Sequence, residues 1–160
     1  MGIKSNAAAL PTTATLTLRP ARLEDSERLL AWRNERAALA ASRTLLPIPS
    51  EEHARWFPAS LCDPLKSIYI VEVEGEPAGY ARAEWRGEAW ELSWLLAPEY
   101  RGRRLSYPMV WALVESTHGP VEAYIRTGNV ASRKAAEAAG LRLSGRDGDF
   151  LIYSNRIARP

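Results

Sequence analysis

The segment "LSWLLAPEYRGRRLSYPMVWALVES", residues 92–116, constrains the chain most. It opens as an apolar strand and closes as an amphipathic helix. Between them stands Arg101-Gly102-Arg103-Arg104, three cations around one glycine. Positive charge is disfavoured at a helix N-terminus, because the macrodipole is already positive there. Gly102 permits a tight turn. Pro108 has no N–H and so belongs in the first helical turn, which predicts a helix start near Arg104 or Leu105. The N–H groups of residues 103–107 then face one small volume. A pyrophosphate would satisfy those amides and pair with the arginines. The alternative is a solvated turn whose arginines lie along the surface. Local chemistry leaves both readings open.

The rest of the chain alternates strands and helices. "TLTLRPA" (15–21) reads as a strand, and "EDSERLLAWRNERAALAAS" (24–42) as one helix, since it is rich in helix formers and free of Pro and Gly. "TLLPIPS" is a loop, after which Ser50 is expected to cap a short helix over "EEHARWF" (51–57). Residues 67–98 read as three antiparallel strands turning at 74–77 and 86–88. After the helix that ends near Ser116 come a strand, "VEAYIRT", and a helix, "NVASRKAAEAAG", with Asn129 at its start and Gly140 as its stop. A hairpin around 145–149 completes the order β-α-α-β-β-β-α-β-α-β-β. The expected class is α/β (α+β mixed): one domain over 15–160, a mixed, mostly antiparallel sheet with helices on both faces, and a frayed leader over 1–14.

Totals exclude several classes. The chain has 160 residues, one Cys and two His. That excludes an internal disulfide and leaves too few Cys and His ligands for a zinc site, so no metal is expected. Cys62 is expected as a small buried hydrophobe. No run spans a bilayer, so no membrane partner and a cytoplasmic location are expected. Ten Lys/Arg against six Asp/Glu follow Pro98, whereas eleven against thirteen precede it. The basic second half points to a phosphate-bearing partner, but no basic stripe with interleaved aromatics argues for nucleic acid. Trp85 and Trp90 fit either the core or an interface, which leaves a homodimer open.

Together, element order and residues resemble the GNAT superfamily of acetyl-CoA-dependent N-acetyltransferases over about Leu16 to Tyr153. Arg101 to Ser106 align with that family's Gln/Arg-x-x-Gly-x-Gly/Ala pyrophosphate loop, with Arg104 and Ser106 at the two glycine positions. The resemblance implies that Arg101, Gly102, Arg103, Arg104, Leu105 and Ser106 hold acetyl-CoA. "NVASRKAAEAAGL" resembles the family's Asn-x-x-Ser-x-x-x-Tyr-Glu-x-x-Gly-Phe segment and implies cofactor contacts at Asn129 and Ser132. The family's tyrosine, which protonates the departing thiolate, is Ala136 here, so Tyr107, Tyr124 or water takes that role.

A third match is narrower. Trp32-Arg33-Asn34 followed by "EEHARWF" resembles a branch that includes amino-sugar nucleotide N-acetyltransferases and lies near the ribosomal-protein N-terminal acetyltransferases. It implies that Trp32, Arg33, Asn34, His53 and Trp56 wall the acceptor side. The ordinary roles of these residues are aromatic burial, a hydrogen-bonded structural histidine and a solvated helix face.

Acetyl transfer to a small-molecule amine needs a base for its proton, donors for an oxyanion and an acid for the thiolate. In the family the strand equivalent to "AWELSWLLAPE" splays from its neighbour, and Leu95 and Leu96 would offer their N–H groups. On a period of two, Glu91 shares a face with Ser93 and Leu95. Apolar neighbours there would raise its pKa and suit it as the base. Glu84, on the adjacent strand, is its competitor and a candidate acceptor contact. The expected activity is acetylation of an amino-sugar nucleotide; a protein N-terminus as acceptor, or a non-catalytic acyl-CoA-binding module, are the alternatives.

Overall fold

The computed structural model describes residues 14–156. The leader expected over 1–14 lies, apart from Ala14, outside the described residues. Seven strands form one sheet: β1 Leu16–Pro20, β2 Lys66–Val73, β3 Glu76–Trp85, β4 Trp90–Leu96, β5 Val121–Arg126, β6 Arg142–Asp147 and β7 Phe150–Ser154. They lie in the order β1-β2-β3-β4-β5-β7-β6. Every pairing is antiparallel except β4 with β5. That parallel step needs a crossover, and helix α4, Ser106–Ser116, supplies it.

Alternation on the central strands divides the core in two. Val71, Ala81, Ala83, Leu92 and Leu96 pack with Met109, Val110 and Leu113 of α4 and with Ala135 and Ala136 of α5, Val130–Ala138. Ile68, Ile70 and Tyr80 face the other way, onto Leu29 and Phe57. Leu29 lies on α1, Ser26–Arg33, and Phe57 on α3, Ser50–Leu61. The mixed sheet with helices on both faces is therefore as expected.

The helices between β1 and β2 differ from expectation. The single helix expected over 24–42 breaks into α1 and α2, Arg36–Ala41. Asn34 causes the break: its Oδ1 accepts from the Ile48 N–H at 2.7 Å and its Nδ2 donates to the Ile48 carbonyl at 2.9 Å. Glu35 then turns extended, and its carboxylate accepts from the Ala37 N–H at 3.3 Å, capping α2. Such short polar side chains compete with helix continuation. The helix expected to be short after Ser50 runs instead to Leu61 through Pro58, with Pro49 as its N-cap. Cys62, expected to be buried, is exposed at the C-terminal end of that helix. Trp85 and Trp90 pack edge to face at 5.5 Å at the end of the β3–β4 hairpin. Among the described residues no helix is long and apolar enough to cross a membrane, and no group of acids, His and Cys could hold a metal.

Candidate active site

The sheet opens where β4 and β5 part. Their pairing runs only from Trp90–Val121 to Leu92–Ala123. Beyond it, β4 stays paired with β3 as far as Leu96–Gly79. The phase of the β3–β4 ladder decides which amides face the gap. Ala97 donates to the Ala78 carbonyl and Arg86 to the Ala89 carbonyl, so the Leu95–Tyr80 pair is also hydrogen-bonded within that ladder. Trp90 donates the other way, to the Pro120 carbonyl. By alternation the N–H groups of Trp94 and Leu96 point toward β5, where the ladder has ended. Leu95 and Leu96 were both expected to offer amides. Adjacent strand residues point opposite ways, so the Leu95 amide is turned to β3 and Trp94 takes its place. Gly79 permits the close approach on that side: a Cβ at 79 would collide with the Leu95 carbonyl oxygen.

The gap widens into a cleft of about 700 Å³ between α2, the loop before α4 and the start of α5. Trp94, Leu95, Leu96, Arg101, Gly102 and Ser106 line it, opposite Asn129 and Ser132. Gly102 has φ 73° and Arg104 φ 59°, so both occupy the left-handed region. That is why the helix begins at Ser106, with Leu105 as its N-cap, just past the start near Arg104 or Leu105 that Pro108 predicted. Pro108 does fall in its first turn. Leu105 is 7% exposed and sits in the core, which pins the loop from below.

The three arginines behave differently. Arg101, expected to grip a phosphate, is folded back: Nη2 donates to Glu35 at 2.7 Å and Nε to the Leu96 carbonyl at 3.1 Å. This pair holds the Glu35 carboxyl below the usual range, with the Ala37 N–H adding to the effect. Arg103 lies over the Tyr100 ring at 5.2 Å. Among the described residues, neither Arg103 nor Arg104 pairs with a carboxylate within 4.0 Å. Asn129 caps α5, its Oδ1 accepting from the Ser132 N–H at 3.2 Å. Ala136 is fully buried in the core and supplies no acid.

A second chamber of about 270 Å³ adjoins the cleft, sharing Trp94, Leu95, Asn129 and Ser132 with it. Glu91, Ser93 and Leu95 all line it. Glu91 was expected among apolar neighbours. It instead accepts from Arg86 Nε at 3.2 Å and lies 3.7 Å from Arg43 Nη2, its side chain 16% exposed. Tyr124, on β5, lines the same chamber beneath the Arg43 guanidinium, which lies 4.2 Å from its ring centroid. Burial, then the nearby Glu122, pushes the Tyr124 hydroxyl above the ordinary tyrosine range. Tyr107, the other candidate acid, is 47% exposed on α4 and lines neither cavity.

The residues expected on the acceptor side divide. Arg33 lines the chamber and donates to the Tyr80 hydroxyl at 3.0 Å. Trp32 packs against the α1–α3 core and Asn34 ties down the loop at Ile48, so neither lines the chamber. His53 is buried, stacked on Phe57 at 5.3 Å, and donates through Nε2 to the Ser26 carbonyl at 2.9 Å. Burial lowers its pKa, which favours the neutral ring. His53 and Trp56 line a third chamber of about 250 Å³ behind Tyr80 and Arg82. Glu84 pairs with Arg86 at 3.1 Å and Lys66 at 3.8 Å and lines none of the three. The reading of the sequence missed Arg43, Tyr80, Arg82, Arg86 and Phe150, all of which line the second chamber. Tyr80 and Arg82 carried a usable signal, since they alternate with buried alanines on β3 and oppose Leu95 and Ser93 in the register.

Comparison with known proteins agrees with this architecture. The structure of the aminoglycoside acetyltransferase AAC(6')-Ib in complex with ribostamycin and coenzyme A superposes with TM-score 0.75 at 20% identity, covering 88% of this chain and 92% of that one. Spermidine N-acetyltransferase from Vibrio cholerae, with CoA and spermine, gives 0.74 at 14% identity, covering 87% and 92%. RimL, the ribosomal L7/L12 alpha-N-protein acetyltransferase in complex with coenzyme A, gives 0.70 at 16%, covering 90% and 93%. A search of curated proteins found no significant match. The acetyltransferase (GNAT) domain family matches residues 15–142, most of the chain, and the parted strands with their glycine-turned loop belong to a member of that family.

Proposed function

We propose that the chain transfers an acetyl group from acetyl-CoA to a primary amine by direct attack. The carrying observation is the pair of unpaired β4 amides, Trp94 and Leu96, at the junction of two cavities. The large cleft takes the coenzyme, with its pyrophosphate against the backbone of residues 102–106 and its pantetheine arm along β4. The reading is supported by the left-handed turns at Gly102 and Arg104, a backbone form that favours anion-binding concavities, and by the uncompensated Arg103 and Arg104 on the same loop.

The second chamber then holds the amine. Glu91 accepts the proton of the ammonium, directly or through a water, so that a neutral nitrogen forms the new N–C bond. The Trp94 N–H donates to the oxygen that becomes negative in the tetrahedral intermediate. As the C–S bond breaks, Tyr124 donates its proton to the sulfur and is reprotonated from solvent. Like any tyrosine it is in its donor form at neutral pH, and burial extends that form to more alkaline pH.

Within this reading, a small acceptor such as an amino-sugar nucleotide comes first. Tyr80, Tyr124 and Phe150 give the chamber the aromatic walls that suit a sugar ring. The structural relatives, an aminoglycoside, a spermidine and a ribosomal-protein acetyltransferase, keep a protein N-terminus as the second reading. Cys62, exposed and without a partner cysteine, supports a reducing, cytoplasmic setting.

The test is thermal. At one hundred times its dissociation constant, CoA or acetyl-CoA should stabilise the fold by about 2.7 kcal/mol, a rise of several degrees in Tm. Adenosine alone should give no such shift. Equal shifts from adenosine and CoA, or none from either, would remove the proposal. A shift without transfer to any primary amine would select the non-catalytic binding module.

A further inference from the structure

The second chamber carries more positive charge than its own chemistry uses. Arg33, Arg43, Arg82 and Arg86 line it against one carboxylate, Glu91. Arg43 and Arg86 are engaged by Glu91, and Arg86 also by Glu84 at 3.1 Å. Arg33 and Arg82 are not matched in this way. Among the described residues Arg33 has no carboxylate within 4.0 Å; its partner is the Tyr80 hydroxyl at 3.0 Å. Arg82 has Glu84 only at 3.9 Å, and its Nε is buried with no hydrogen-bond partner.

A buried N–H left without an acceptor is costly, and a guanidinium fork is shaped for a planar or tetrahedral oxyanion. Both arginines stand at the boundary between the second and third chambers and line each of them. In the third chamber His53 offers no anion, and Glu52, which also lines it, forms no ion pair with either arginine. Tyr80 and Arg82 are two residues apart on one face of β3, and the hydroxyl of the first accepts from Arg33, which lines the same two chambers as Arg82.

We infer that the acceptor amine carries an anionic group, a carboxylate or a phosphate, which Arg33 and Arg82 hold while the amine reaches Glu91. This rests on the acetyltransferase reading above. Arg82 lies opposite Ser93, one side-chain repeat of about 7 Å along the ladder from the Glu91–Glu84 pair. The acceptor therefore has its amine and its acid several bonds apart. A polycation would meet four guanidiniums in the same space.

The protein saturated with CoA, so that the pyrophosphate loop is already filled, tests this with matched probes. Glucosamine 6-phosphate against glucosamine is the phosphate arm, 4-aminobutyrate against 1,4-diaminobutane is the carboxylate arm, and inorganic phosphate alone is a third. The expected result is a Tm rise with the anionic member of at least one pair and a smaller rise, or none, with its partner. With acetyl-CoA, kcat/KM should favour that member by on the order of tenfold or more. Arg33→Gln and Arg82→Gln should each lower that preference about tenfold, chiefly through KM, with the dissociation constant of CoA unchanged. Arg82→Lys, which keeps the charge but loses the fork, should retain part of the preference, so a folding defect cannot pass for loss of the subsite.

Equal shifts within both pairs, no shift with any probe, or a preference that survives both glutamine variants would overturn the inference. A selective shift for the anionic probe with no transfer to any amine would leave the subsite standing and overturn the acetyltransferase reading instead.

Discussion

The two cavities that meet at Trp94 and Leu95 are made of different material. The larger is shaped mainly by backbone geometry, the parting of β4 from β5 and the turns at Gly102 and Arg104, with the small side chains of α2 along one wall. The smaller is built from side chains: four arginines, Glu91 and the aromatic rings of Tyr80, Tyr124 and Phe150. A backbone site depends on where strands part and loops turn, so it tolerates changes of side chain. A side-chain site is rewritten by single substitutions. In such a molecule the first is suited to a constant ligand and the second to a particular one.

The largest test of this division is Glu91→Gln. If Glu91 accepts the amine's proton, kcat should fall about a hundredfold to ten-thousandfold in steady-state assays, with the CoA dissociation constant within twofold of the parent. A matching loss of CoA affinity would show that the chambers are not separable.

Next is Tyr124→Phe, read as a pH profile. Burial disfavours the phenolate, so the proton-donating form persists to more alkaline pH than for an ordinary tyrosine. The kcat of the parent should therefore hold through neutral pH and decline only above the usual tyrosine range. The variant should be slower at neutral pH and lack that alkaline limb. An unchanged limb would assign the acid elsewhere.

The smallest effect belongs to the backbone site. Arg104 pays a left-handed conformation that glycine adopts freely, so Arg104→Gly should stabilise the fold by roughly 1 kcal/mol, a rise of about 2–4 °C in Tm. CoA affinity should change little if the backbone does the holding. A loss of tenfold or more would mean that the Arg104 guanidinium clasps the phosphate and that even this cavity depends on a side chain.

Much of the fold was legible because it is written locally. Alternation marks β1 to β4, Asn129 and Gly140 bracket α5, and Pro108 fixes the first turn of α4. The break in the first long helix was not legible. The residue that causes it, Asn34, acts through the Ile48 backbone fourteen positions away, and nothing in the local composition reports that contact. The extension of α3 through Pro58 had the same origin, since Phe57 and Ser60 around it are buried by the sheet.

The site shows the same split. Of the residues singled out in the sequence, Arg101, Gly102, Ser106, Asn129 and Ser132 line the cleft and Glu91 the chamber, because each lies in a contiguous pattern with its own spacing. Tertiary structure decided what those residues face. It turned Arg101 onto Glu35, sixty-six positions earlier, and surrounded Glu91 with arginines where apolar neighbours were expected. It gave the free amide to Trp94 and withheld it from Leu95. It also gathered Arg33, Arg43, Arg82 and Tyr124 from four segments around one space. Spacing along a chain fixes backbone conformation, whereas charge compensation and ladder phase are settled only once distant segments are brought within a few ångströms of one another.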